Sequence, residues 1–179
     1  ARKNPGKLNY GSAGNGSANQ LTTEVFRSYT KLDMVHVPFK GGGPAVAALV
    51  GGQIDLLFAT ISSSSHHIKS GKLRGLALTY YKRSATLADV PTLQELGLKD
   101  YNYNEWQVLV TPGNTPRPIV DKLNKAVVGA LGDPKVRARM VELGNEVEGT
   151  TPEEAAEFLK KEWALWPRII KEAGIQVVD

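Results

Sequence analysis

The cadence of residues 8–70 constrains this chain most. Short β-rich runs alternate there with helical stretches, and glycine, proline or serine makes each junction. That is the pattern of parallel βα units. LNYGS (8–12) reads as a strand, and NQLTTEVFRSYTK (19–31) as a helix with Leu21, Val25, Phe26 and Tyr29 on one face. MVHVPF (34–39) is expected as a second strand, GPAVAALV (43–50) as a short buried helix with a proline in its first turn, and IDLLF (54–58) as a third strand. A helix through His66 to Ser70 follows, then a fourth strand, LRGLALT (73–79), and a short helix, TLQELGL (92–98), stopped at Gly97.

Composition narrows the class. With 179 residues, 41% of them hydrophobic, the chain can bury a core as one domain or two small lobes. A net charge of +4 without clustered lysines and arginines argues against nucleic acid as a partner. The absence of cysteine removes thiolate catalysis, disulfides and cysteine-ligated metals. No apolar run reaches the roughly 18 residues that a bilayer span requires. The start, ARKNPGKLNYGS, is basic but has no apolar segment after it, so a signal peptide, if one exists, is expected upstream.

The texture changes near Glu105, where EWQVLVTPGNTP is expected to enter a strand and then a turn; this is the expected lobe boundary. Three helical stretches follow, Pro116 to Leu131, Pro134 to Leu143 and Pro152 to Ala173, each starting at a proline preceded by Thr or Asp. The last carries Ala155, Phe158, Leu159, Trp163, Trp166, Ile169 and Ile170 near helical spacing, and Pro167 should kink or interrupt it. These helices have apolar faces but almost no strands to cover them, so either a partner chain supplies a sheet or a segment of the same lobe precedes the chain.

The strongest site signal is YGSAGNGSAN (10–19), between a strand and a helix. Its glycines allow sharp turns, its serines offer hydroxyls, and the helix start offers unsatisfied N–H groups, which together make an anion cradle; the alternative is a turn in which Ser17 only caps the helix. It lacks the GKS or GKT of a Walker loop and reverses the glycine spacing of a dinucleotide fingerprint. PFKGGGPA (38–45) is a second such junction, where Lys40 beside Gly41 could add a cation to the same crevice or remain a solvated lysine. In the third, ATISSSSHH (59–67), Thr60 and Ser62 can donate hydroxyl bonds. His66 and His67 are adjacent and face different sides of a helix, so they form no paired metal site, and no metal or cofactor is expected. Trp106 walls the cleft or belongs to the core. Neither a nucleophile elbow nor an HExxH helix is present, and the carboxylates read as solvated helix faces, so no catalytic residue is expected.

Together, KLNYGSAGNGSA (7–18), VHVPFKGGGPA (35–45), GGQIDLLF (51–58), SGKLRGLALT (70–79), KRSATLADVPTLQELGL (82–98) and TPGNTPRPIVDKLNKA (111–126) give the chain its resemblance. It resembles the Bug-type periplasmic solute receptors of tripartite tricarboxylate transporters, from about Gly6 to the C-terminus. The resemblance implies a periplasmic-binding-protein-like (Venus flytrap) α/β fold that captures a small organic acid in the periplasm, without chemistry, and delivers it to membrane permease subunits. It implies that a ligand carboxylate is held by a loop matching Gly11, Ser12, Ala13, Gly14, Asn15, Gly16 and Ser17, and that a facing loop from the other lobe has no counterpart here, roughly the first hundred family residues being absent. On this reading residues 6–106 form the complete second lobe and 107–179 the C-terminal share of the first, whose exposed helices could self-associate. Ala59 and Thr60 stand where many relatives have Asp-Asn, which bears on ligand choice. An enzyme of the same fold would need a general base near Ser12 or Ser17, which the sequence does not offer. A regulator's effector domain would have lost its DNA-binding segment, since no helix-turn-helix is encoded.

Overall fold

In a computed structural model that describes residues 1–103, 105–172, 174 and 175, the βα cadence is realised at the start of the chain. Strand β1 (Asn9–Ser12) leads to helix α1 (Ala18–Thr30), β2 (Val35–Pro38) to α2 (Gly42–Val50), and β3 (Leu56–Leu57) to α3 (Ile61–Lys69). All pairings are parallel and the strand order is β2-β1-β3. β1 is central because the chain steps to one side of it and then crosses back to the other, so the loops after β1 and β3 open away from a switch point.

Local chemistry explains the ends of these elements. Ser17 caps α1 by accepting the Gln20 N–H, and α2 stops where the Gly51 N–H turns back to the Ala47 carbonyl. Tyr10, Met34, Ala45, Val46, Ala48 and Ile54 are buried. A further cluster of Val25, Leu93, Tyr101 and Ile169 joins α1 to the last helix, and there the buried Tyr101 hydroxyl donates to the Thr22 carbonyl at 2.7 Å.

Helices α4 (Arg117–Gly132), α5 (Pro134–Glu142) and α6 (Pro152–Glu172) start at or beside the expected prolines. Asp133 caps α5 by accepting from Lys135 and Val136, as its place before a proline anticipates. Neither α4 nor α5 has a buried residue, and Ile119, Leu123 and Val136 are exposed, so the expected shortage of covering sheet is real in this chain. Only Ile169 of α6 is buried.

Several sequence expectations need correction. The expected strand 73–79 contributes one isolated bridge, Leu78 to Thr92: the Leu78 N–H donates to the Pro91 carbonyl and the Leu78 carbonyl accepts from the Leu93 N–H, both at 2.8 Å, and the chain turns away directly after Thr92, so the ladder goes no further. The expected helix 92–98 is a run of turns: seven residues barely cover the cost of a helical nucleus, and Gly97 sits at φ +103°. Residues 105–110 form no strand; Leu109 and Val110 are exposed with no ladder partner among the described residues. Pro167 does not interrupt α6, since it lies on the exposed side, where a carbonyl without its helical partner meets water. The C-terminal residue expected for that helix, Ala173, lies outside the described residues.

Candidate functional site

Three strand-to-helix junctions meet at the carboxyl end of the sheet and line a half-open cavity of about 180 Å³. Ala13 after β1 and Asn19 in the first turn of α1 line it, as do Gly42, Gly43 and Val46 of α2, Leu57, Ala59, Thr60 and Ser63 around the start of α3, and Glu105. Asn19 ties two of these junctions together, its Nδ2 donating to the Phe58 carbonyl at 2.6 Å.

The helix starts differ in how their N–H groups are satisfied. α1 is capped by the Ser17 hydroxyl, but no side chain caps α2 at Gly41 or α3 at Thr60. Gly41 has no side chain to offer, and its own N–H donates to the Ala13 carbonyl at 3.1 Å. The Thr60 hydroxyl is turned to its neighbours, 2.9 Å from Ser63 Oγ and 3.1 Å from Ser62 Oγ. Two helix N-termini therefore face one cavity with the partial positive charge of their first-turn amides unmatched by any side-chain cap, which suits a small anion.

The expected site residues divide on this geometry. Ala13 and Thr60 line the cavity. Gly11 is buried, and a Cβ there would stand 2.4 Å from Ile54 Cδ1, so glycine is needed for packing. Ser12 is completely buried. The glycine-rich loop is engaged with itself: the Gly14 N–H donates to Ser12 Oγ at 3.1 Å, the Gly16 N–H to Gln20 Oε1 at 2.6 Å, and the Ser17 N–H to the Gly14 carbonyl at 3.2 Å. Asn15 and Gly16 are exposed, and Ser17 serves α1 as a cap. Lys40 is exposed and outside the lining, and the same holds for Ser62. Trp106 also lies outside it, donating through Nε1 to Glu162 at 2.8 Å and meeting the Phe158 ring edge-on. Sequence reasoning missed Asn19, Gly42, Gly43, Ser63 and Glu105 as lining residues. Its available signal was the glycine run at 41–43, which leaves a helix start without a cap side chain.

Beneath the loop lies a contact that the sequence reading did not foresee. His36 Nε2 stands 2.7 Å from Ser12 Oγ, so a general base does adjoin Ser12. The pair is not arranged for attack on a substrate. Ser12 is sealed in β1, and His36 Nδ1 receives Gln20 Nε2 at 3.3 Å, which leaves the imidazole proton on the nitrogen facing the serine. Burial holds the His36 pKa below the ordinary histidine value, because the imidazolium is disfavoured away from water. Tyr10 stacks on His36 with 4.9 Å between ring centroids and donates its hydroxyl to Glu24; burial and that carboxylate push the phenol pKa well up. Among the described residues no cluster of three metal-capable side chains occurs, and no helix is long and apolar enough to cross a membrane.

Residues 1–175 match the family model of the tripartite tricarboxylate transporter family receptors. The chain belongs to this family. A protein encoded in the tcbD-tcbE intergenic region of Pseudomonas sp. (strain P51) is 34% identical over 173 residues, which are 96% of this chain and 52% of that protein. The structure of R. palustris Rpa4515 with adipate superposes with a TM-score of 0.91 at 33% identity, covering 97% of this chain and 58% of the other. The periplasmic binding protein BugD gives a TM-score of 0.90 at 34% identity, covering 98% and 59%. The chain spans about half the length of the curated relatives that it matches most strongly. The fold is therefore a mixed α/β portion of the fold of the family's periplasmic binding proteins, and the family is one of receptors.

Proposed function

We propose that this chain forms one wall of a periplasmic receptor cleft, and that the cavity between α1, α2 and α3 takes the carboxylate of a small organic acid. The observation that carries this reading is the pair of uncapped helix N-termini, α2 and α3, directed at one small cavity. The adipate of a related structure supports a dicarboxylate as the ligand class. Among the described residues Glu105 is the one ionisable group in the lining, so the attraction for the anion comes from backbone dipoles, while Glu105 favours a ligand whose far end presents a hydrogen-bond donor. Residues 6–106 make up one lobe in this proposal, and 107–179 contribute helices to the other. The exposed apolar faces of α4 and α5 support that division, and in the chain by itself they favour self-association. Delivery of the captured acid to transporter permease subunits completes the proposed role.

Titration of the isotopically labelled chain with adipate, followed by amide chemical shifts, tests the site. Saturable shifts are expected at Gly42, Gly43, Thr60 and Ser63, with weak affinity, because a few exchanged hydrogen bonds contribute only about 0.5–1.5 kcal/mol each against an association cost of at least roughly 4 kcal/mol. Shifts confined to the glycines of the 14–16 loop would overturn the assignment.

A further inference from the structure

We infer that His36 and Gln20, which the proposed site leaves unassigned, are positioning residues that hold the glycine loop behind the cavity in shape, and that a proton on His36 releases it. The reasoning begins with the Gln20 amide. Its Oε1 accepts the Gly16 N–H at 2.6 Å, which turns its Nε2 toward His36 Nδ1 at 3.3 Å. A donor facing Nδ1 makes that nitrogen an acceptor, so the proton is on Nε2 and donates to Ser12 Oγ at 2.7 Å. The Ser12 hydroxyl then donates to the Gly14 carbonyl at 3.1 Å while accepting the Gly14 N–H at 3.1 Å. One neutral imidazole thus orients a chain of donors and acceptors from Gly14 to Gly16. Ala13, at the head of this loop, lines the cavity and accepts from Gly41 at the start of α2.

Protonation sets two donors against each other. Once Nδ1 carries a proton it requires an acceptor, and Gln20 can supply one only by turning Oε1 away from Gly16. The Gly16 N–H then meets the amide NH₂ and loses its partner. The same side chain cannot serve both states, so the loop is tied to the neutral imidazole. Among the described residues, the ionisable groups facing His36 are Tyr10 from β1 and Glu24 and Arg27 from α1, and Glu24 and Arg27 are paired with each other at 2.9 Å. Glu24 favours the imidazolium, whereas burial and Arg27 oppose it.

This inference adds to the carboxylate-site reading, and the test separates the two. In the 179-residue chain without ligand, side-chain nitrogen shifts should give His36 the Nε2–H tautomer at neutral pH, and the Gly14 and Gly16 amides should shift with the His36 midpoint as pH falls. An Nδ1–H tautomer, or glycine amides that stay flat through that midpoint, overturns it. Gln20→Glu supplies a carboxylate that can accept from Gly16 and from protonated Nδ1 together. It should raise the His36 midpoint and uncouple Gly16 from it, an outcome that a purely structural role for Gln20 would not produce; unchanged coupling overturns the proposal. In a second arm, adipate should bind about fivefold more weakly to the protonated chain, the equivalent of one exchanged loop hydrogen bond, and Gln20→Glu should flatten that dependence. Should adipate move no cavity resonance at any pH, the carboxylate reading fails, and the ligand-free titration still decides the role of His36.

Discussion

Replacing Gly11 by alanine tests whether this glycine serves packing or ligand contact. Its backbone lies outside the left-handed region, so alanine is permitted by conformation and only space decides. The new methyl would stand 2.4 Å from Ile54 Cδ1, with Phe39 Cε2 at 3.5 Å and Leu57 Cδ1 at 3.6 Å. Carbon atoms prefer about 3.5–4.0 Å, so the two aromatic and leucine contacts are ordinary and the isoleucine contact is not. Ile54 is itself buried, and moving its terminal methyl disturbs packed neighbours, at a cost of about 1–3 kcal/mol. Ile54→Val alone removes the offending methyl and costs about 0.5–1.5 kcal/mol. In the double variant one methyl replaces the other at nearly constant volume, so its loss should stay below about 1.5 kcal/mol and show a favourable coupling of roughly 1–2 kcal/mol. Urea unfolding followed by far-UV circular dichroism measures the cycle, and adipate titration of each variant measures the site. Additivity within about 0.5 kcal/mol would refute the packing account. A double variant that regains stability but not the adipate shifts would return Gly11 to the ligand.

Gly43→Ala should raise stability by up to about 0.5–1 kcal/mol, because alanine is the better helix former and nothing within 4 Å obstructs its methyl, yet adipate affinity should fall as that methyl enters the cavity; parallel melting and titration check both signs. Ala59→Asp with Thr60→Asn should change the ranking of adipate, malate and citrate more than it changes the urea midpoint, and an unchanged ranking would make that junction purely structural. Stability should decline as pH rises beyond about 10, where unfolded tyrosines ionise while Tyr10 and Tyr101 keep their protons in the fold, held by burial, and Tyr103 is pushed up to about 12. The unfolded state then binds fewer protons than the native state, so the slope is negative. Urea midpoints between about pH 8 and 11 read it, and Tyr101→Phe should flatten the decline.

Much of the architecture was legible without coordinates because it depends on local chemistry. Proline after Thr or Asp marked the starts of the last three helices and the glycine and serine junctions marked the βα units, while Ser17 as the cap of α1 was the alternative to the anion-cradle reading of its loop. The family resemblance was carried by the same junctions. Expectations failed where the outcome depends on what a segment meets. The apolar run at 105–110 has strand composition but no ladder partner among the described residues, and the run at 73–79 finds only a single bridge. The site followed the same division. That glycine-rich helix starts gather at one end of a parallel sheet follows from the order of the segments alone, since strand direction and short connections require it. Which of those starts lack a side-chain cap depends on packing between distant segments. Ser17 closes α1 across three residues, while Ser12 is sealed beneath the loop by His36, 24 positions away, and Glu105 reaches the cavity from beyond the third junction. Burial and long-range hydrogen bonding decide which of these polar groups are spent on the scaffold and which stay unengaged, and neither is written in the spacing of the residues that carry them.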